Sequence, residues 1–140
     1  MTGPFNTDQL DLLMAAAAWL MPDEGSLPSV EDAGLRETYI AQALLARPDG
    51  TPKLAEFLRL AEQDGVEEAL EHCRDHRPEL WEAVTTILPG AYFLSPQVRD
   101  ALGYRGQTPQ LIPTEGSPDY DEFLSGVLDR GPQYRPTPSQ

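Results

Sequence analysis

The chain has 140 residues, 40% hydrophobic and 24% charged, which is apolar material for one core and too little for two. Acidic residues outnumber basic ones 23 to 10, giving a formal net charge of −13. A field of that sign repels both phosphate backbones and anionic bilayers, so the expected partners include neither nucleic acid nor a membrane.

Leu and Ala far outnumber the β-branched Val and Ile, and no stretch alternates with period two between hairpin turns. Helix is favoured by the first fact and strand disfavoured by both. The expected fold is all-α: one helical domain of six to seven helices over residues 1–131, with its core in 7–103, a further helix at about 118–130, and an extended Pro-rich tail over 132–140.

Thr7 is the expected N-cap of the first helix, with Asp8 and Asp11 in its first turn, and Pro22 follows its end at Met21. The run from Ala15 to Met21 is apolar on nearly every side, which predicts a centrally buried helix. Ser29 and Asp32 resemble a capping box opening a second helix, along which Leu35, Tyr39, Ile40, Ala43 and Leu44 fall at helical spacing up to Arg47. Pro48-Asp49-Gly50 is a turn. Thr51 with Pro52 starts a third helix whose inner stripe is Leu54, Phe57, Leu58 and Ala61, and Gly65 stops it.

Val66 to about His76 is a short fourth helix burying Val66, Ala69, Leu70 and Cys73. Pro78 begins a fifth, with Leu80, Trp81, Val84, Ile87, Leu88 and Ala91 inward, expected to end or bend at Pro89. Ser95-Pro96 caps a short helix that Gly103 terminates. A last helix, capped by Ser117, carries Tyr120, Phe123, Leu124, Val127 and Leu128 as a narrow apolar face.

The ten-residue apolar run Leu12–Met21 has no Lys or Arg before it, since Arg36 is the first positive charge. It therefore lacks the basic flank of a secretory signal and falls short of the ~20 residues that span a bilayer. The expected location is cytoplasmic. Cys73 is the single cysteine, so an intrachain disulfide is impossible.

His72 and His76 stand at i and i+4 and share a helix face, the spacing of a chelating pair. A third ligand would have to come from Asp or Glu. The pair defines one open alternative, a stand-alone metal-binding protein or enzyme; the other account is a solvated helix end where His meets the negative dipole pole. Cys73 is read as a small core residue. No nucleophile elbow or phosphate-cradling loop is present, and carboxylate pairs such as Glu67 and Glu71 read as a solvated helix face. A free helical regulator remains a third reading.

The segment Trp81–Gln107 is richer. It sets Gly90, Tyr92, Phe93, Gly103, Tyr104 and Gly106 within one short stretch, beside Arg105 and Gln107. Such a cluster suits either an aromatic-filled helix corner or a protein-docking surface, because Tyr, Trp and Arg enrich interface centres. Tyr134 and Arg135 in the tail extend the same expected interface.

Two ordered segments, "WLMPDEGSLPSVEDAGLRETYI" and "ELWEAVTTILPGAYFLSPQVRDALGYRGQ", together carry a family resemblance over roughly residues 5–107. The chain resembles the small, third-subunit family of gluconate 2-dehydrogenase, in which a Pro-acid turn, Pro-Ser, a Gly-aromatic-Phe element and a terminal Gly-aromatic-x-Gly follow in that order. The resemblance implies a non-catalytic helical companion of a larger FAD-dependent oxidoreductase, often of the GMC type, acting on a sugar, polyol or glycoside. The FAD belongs to that partner. The resemblance marks Pro22, Pro28, Ser29, Gly34, Gly90, Tyr92, Phe93, Pro96, Gly103, Tyr104 and Gly106 as structural or interface positions. The chain departs from the family in having no twin-arginine signal and in the compact "LSPQVRDAL", which points to a cytoplasmic partner over an exported one.

Overall fold

The computed structural model describes residues 4–23, 25–107, 109 and 118–131, and of 118–123 the backbone alone. The elements are α1 (Thr7–Leu20), a π-helical turn (Leu35–Tyr39), α2 (Ile40–Ala46), α3 (Gly50–Asp64), α4 (Val66–His76), α5 (Pro78–Leu94), α6 (Pro96–Ala101) and α7 (Pro118–Arg130). The fold is all-helical, with no strand among the described residues. The chain divides into two units, residues 1–106 and 107–140, and α7 belongs to the second.

The cap of α1 is Asn6, not Thr7. The Asn6 side chain accepts from the Gln9 backbone N–H at 2.9 Å, and Gln9 Oε1 accepts from the Asn6 N–H at 3.1 Å. This reciprocal capping box satisfies two otherwise orphaned donors, which a Thr7 cap would not. Phe5 before the cap and Leu10 after it both join the core, at the spacing of a hydrophobic staple.

α1 is also not the central helix. It buries Leu13, Met14, Ala16 and Ala17, while Ala15, Ala18 and Trp19 face outward. Alanine favours helix wherever it sits and loses little by exposure, so an Ala run sets conformation without setting burial. The centre belongs to α5, which packs against α1, α2, α3, α4, α6 and the π turn. Its buried residues are Leu80, Ala83, Val84, Ile87, Leu88, Ala91 and Tyr92. α5 runs through Pro89 to Leu94 unbroken, because its flanking residues are locked in the core on both sides of the missing N–H. Packing there outweighs the roughly 3 kcal/mol cost of an internal proline.

The region read as a helix from Ser29 begins as a turn. Ser29 Oγ accepts from the Asp32 N–H and donates to Asp32 Oδ2 at 2.7 Å, but Gly34 then adopts φ 74°. A π turn follows. Leu35 and Ile40 are both buried, and five residues of α-helix would set them about 140° apart. The wider π turn brings them to one side. Arg36 ties this turn to α1 through Asp11 at 2.6 Å and reaches Glu31 at 3.5 Å.

α3 starts at Gly50, one residue before the predicted Thr51 cap, and buries Leu54, Phe57, Leu58 and Ala61 as its periodicity predicts. α4 buries Ala69, Leu70 and Cys73. Between α4 and α5, Arg77 donates to Glu56 of α3 and to Glu79, each at 2.6 Å. One guanidinium thus connects three helices.

Candidate functional site: the corner after α5

Of the sequence-predicted interface residues, Gly90, Tyr92, Phe93, Gly103, Tyr104, Arg105 and Gly106 lie in or beside α5 and α6. Pro96 disfavours helical backbone at the residue before it, and Ser95 accordingly takes φ −62°, ψ 126°, breaking α5 from α6. α6 closes six residues later. The Gly103 N–H donates to Asp100 O at 3.0 Å and the Tyr104 N–H to Arg99 O at 2.8 Å, the paired bonds of a Schellman motif. Gly103 has φ 69°, so its glycine is required by the backbone. Gly90 is different: it lies exposed within α5, and a Cβ there would meet nothing within 4 Å. No tight approach of a neighbouring chain segment explains it.

Tyr92 is in the core, 4% exposed, which corrects its expected place on the docking surface. Its hydroxyl donates to the Pro28 carbonyl at 2.6 Å, and burial, with a smaller contribution from Asp23, pushes its pKa up. Phe93 beside it is 51% exposed. The two rings meet edge to face, 5.6 Å between centroids at 73°, so a buried ring orients an exposed one.

The corner exposes large hydrophobic side chains among polar ones. Phe93 and Leu94 at the end of α5, and Leu102 and Tyr104 just after α6, are exposed large hydrophobics within twelve residues of sequence. Leu94 and Leu102 escaped the sequence reading, which weighed aromatics and glycines over aliphatics. Arg105 and Gln107 are exposed and Gly106 is half-buried. Tyr134 and Arg135 lie outside the described residues. In the second unit, α7 carries Leu124, Val127 and Leu128 exposed at one-helix-face spacing.

His72 and His76 are exposed on α4 with ring centroids 5.1 Å apart, tilted by 54°. Among the described residues, no group of three or more His, Cys, Asp or Glu is placed to hold a metal ion. Cys73 between them is fully buried, as expected of a core residue, and its thiol pKa is pushed up chiefly by burial.

One cavity was not legible in the sequence. A cleft of about 380 Å³ opens between the π turn and the start of α6, lined by Asp32, Glu37, Thr38, Tyr39, Ser95 and Gln97 among others. Its walls come from segments some 60 residues apart, and no local pattern announces such a juxtaposition.

No described helix is long and apolar enough to cross a membrane. The chain matches no family model, no curated protein and no solved structure.

Proposed function

We propose that this chain is a non-catalytic small subunit that binds and stabilises a larger FAD-dependent oxidoreductase of sugars, polyols or glycosides, in the cytoplasm. The observation that supports this reading is the exposed apolar corner of Phe93, Leu94, Leu102 and Tyr104. Clustered exposed hydrophobics mark interaction sites on soluble domains, whereas scattered ones carry no such meaning. Each is about half exposed, so covering it would yield about 1 kcal/mol, half the value of complete burial.

The corner is also built to hold its shape. The Schellman closure at Gly103 and the Tyr92–Phe93 edge contact fix the backbone and one ring before any partner arrives. Preorganisation of that kind lowers the entropic cost of association. The flavin is the partner's, and this chain contributes surface and rigidity.

The test is an affinity pull-down of tagged protein from its native host, with an absorption spectrum of the eluate. A stoichiometric large chain with flavin bands is expected. Tyr104→Ala should weaken that co-purification and leave the helical circular dichroism unchanged, since Tyr104 is 55% exposed. A colourless lone chain of 15.5 kDa would overturn the reading.

A further inference from the structure

Positive charge is unevenly placed along this chain. Residues 1–89 hold 17 acids against six bases, and residues 108–140 hold five against two. Residues 90–107 hold one acid, Asp100, and two bases, Arg99 and Arg105. The stretch with a net positive count is therefore the one that exposes Phe93, Leu94, Leu102 and Tyr104.

Neither arginine is used as the others are. Arg36, Arg47, Arg74 and Arg77 each meet a carboxylate at 2.6–3.1 Å, and Lys53 meets one at 3.9 Å. Arg99 and Arg105 meet none among the described residues, although acids outnumber bases more than two to one. Arg59 is also unpaired, but α3 exposes no large hydrophobic beside it.

Arg99 carries a second, independent observation. It is half-buried, and its Nε is the one buried side-chain atom without a hydrogen-bond partner among the described residues. Its terminal nitrogens are not shut away in the same manner. Packing thus holds the stem while the end of the fork faces outward with no carboxylate to meet it. An unmade buried bond weakens the fold, and a guanidinium kept at that cost calls for a use outside it. The Tyr104 N–H bonds to the Arg99 carbonyl at 2.8 Å, and Leu102 stands three residues beyond Arg99, so charge and apolar surface share one turn.

We propose that this corner receives an amphipathic helix of the large partner, with apolar side chains against Phe93, Leu94, Leu102 and Tyr104 and an Asp or Glu on its flank against Arg99 and Arg105. The proposal rests on the subunit reading's docking surface and names the chemistry of what docks there. Guanidinium groups pair with carboxylates through charge-assisted, often bidentate hydrogen bonds. No strand edge is present among the described residues, so recognition runs through side chains, as when an amphipathic helix lies on an apolar face. The acidic body on either side repels carboxylates placed anywhere else, which fixes the register of docking. A second copy fits poorly: corner on corner sets the arginines against themselves, and any other face brings together two chains of net charge −13.

The test is a titration of the isotope-labelled full chain, followed by backbone amide shifts at physiological ionic strength. The probes are two blocked helical peptides with the same leucine stripe, one flanked by Glu and the other by Gln. Saturable one-to-one binding of the Glu peptide is expected, centred on residues 93–105 and about tenfold tighter than the Gln peptide, the worth of a hydrogen bond between charged groups. Arg99→Gln with Arg105→Gln should reduce the Glu peptide to the affinity of the Gln peptide, whose own binding should not change. Arg105→Gln alone, at an exposed position, should already lose part of the preference with the fold intact. Equal affinities for the two peptides, no saturable binding, or a preference that survives in the double variant would each overturn the proposal. Concentration-dependent shifts at 93–105 without peptide would assign the face to a second copy and overturn it too. The two readings fail separately: a colourless lone chain in the pull-down with the Glu preference intact sinks only the flavoprotein partner, and a flavoprotein that co-purifies equally with the double variant sinks only the carboxylate contact.

Discussion

The Tyr92 hydroxyl and the Pro28 carbonyl, 64 residues apart in sequence, meet at 2.6 Å. This partly buried bond ties the loop after α1 to the central helix. Tyr92→Phe removes the donor and keeps the ring. The expected loss is about 1–2 kcal/mol, the cost of an orphaned acceptor, read as a lower urea midpoint with an unchanged slope.

The same residue sets an alkaline limit. Burial raises the Tyr92 pKa in the folded state above the ordinary tyrosine value. The folded protein therefore holds this proton more tightly than the unfolded chain does. Its contribution is complete below about pH 10, the unfolded tyrosine value, and is lost as pH rises through the higher folded value. Stability should fall as pH rises from the ordinary tyrosine value through the higher folded one, and Tyr92→Phe should flatten that fall.

Gly50 opens α3 against the core, and a Cβ built on it would collide with Ile87 Cδ1 and crowd Ile87 Cγ1 at 3.3 Å. Ile87 is 3% exposed, so it has little room to turn away. Gly50→Ala should cost about 1–3 kcal/mol by overpacking. Adding Ile87→Val removes the colliding methyl, and the double variant should be more stable than the sum of the two single losses predicts. Strict additivity in a thermodynamic cycle would show that the contact is not the cause.

Arg77 bridges Glu56 and Glu79, and those two hydrogen bonds raise its pKa and lower that of Glu79. The Glu79 contribution is present above the ordinary glutamate value and is lost as pH falls through the lower folded one. Arg77→Gln should lower the melting temperature modestly at neutral pH. The difference from the parent should shrink in high salt and in acid, because the groups are partly solvated and screened. A difference independent of both would assign Arg77 a packing role.

Arg99 holds a buried Nε with no hydrogen-bond partner, the one such side-chain atom among the described residues. An unmade bond of that kind costs about 1–3 kcal/mol. Arg99→Met keeps the apolar stem and deletes the orphan donor, so thermal unfolding should show equal or greater stability. A clear loss would mean that the charge at the end of α6 outweighs the unmade bond.

The sequence disclosed the helices and most of the core because their signals are local. The stripe Leu54, Phe57, Leu58 and Ala61 is buried as its spacing predicts. Cys73 lies in the core, as its residue type suggests. The errors share a different origin. Asn6 and Thr7 are both good caps, and the choice depended on whether Gln9 could reach back. Pro89 predicts an end or a bend of the helix, and of these the ending is excluded, because neighbours on α5 hold the helix through it. The π turn looked α-helical because Leu35 also lies four residues before Tyr39, which is only half-buried; its true core partner is Ile40. Of the expected docking surface, Phe93 and Tyr104 are exposed and Tyr92 is not; Tyr92 and Phe93 are neighbours on α5, where successive side chains point about 100° apart, so one can face the core and the next solvent. The cleft was invisible, since it exists only once residue 95 meets residue 37.

The π turn also makes the length of the chain locally adjustable. It accommodates one residue more than an α-helical ladder would need between Leu35 and Ile40. A chain shorter by that one residue would place the same two side chains four apart, about 40° from alignment on an ordinary helix, and the core contact would survive. The extra residue is not needed to bring Leu35 and Ile40 to one side. What it supplies is the bulge on which Glu37 and Thr38 stand, so a single deletion would remove the cleft while leaving the helical body around it intact.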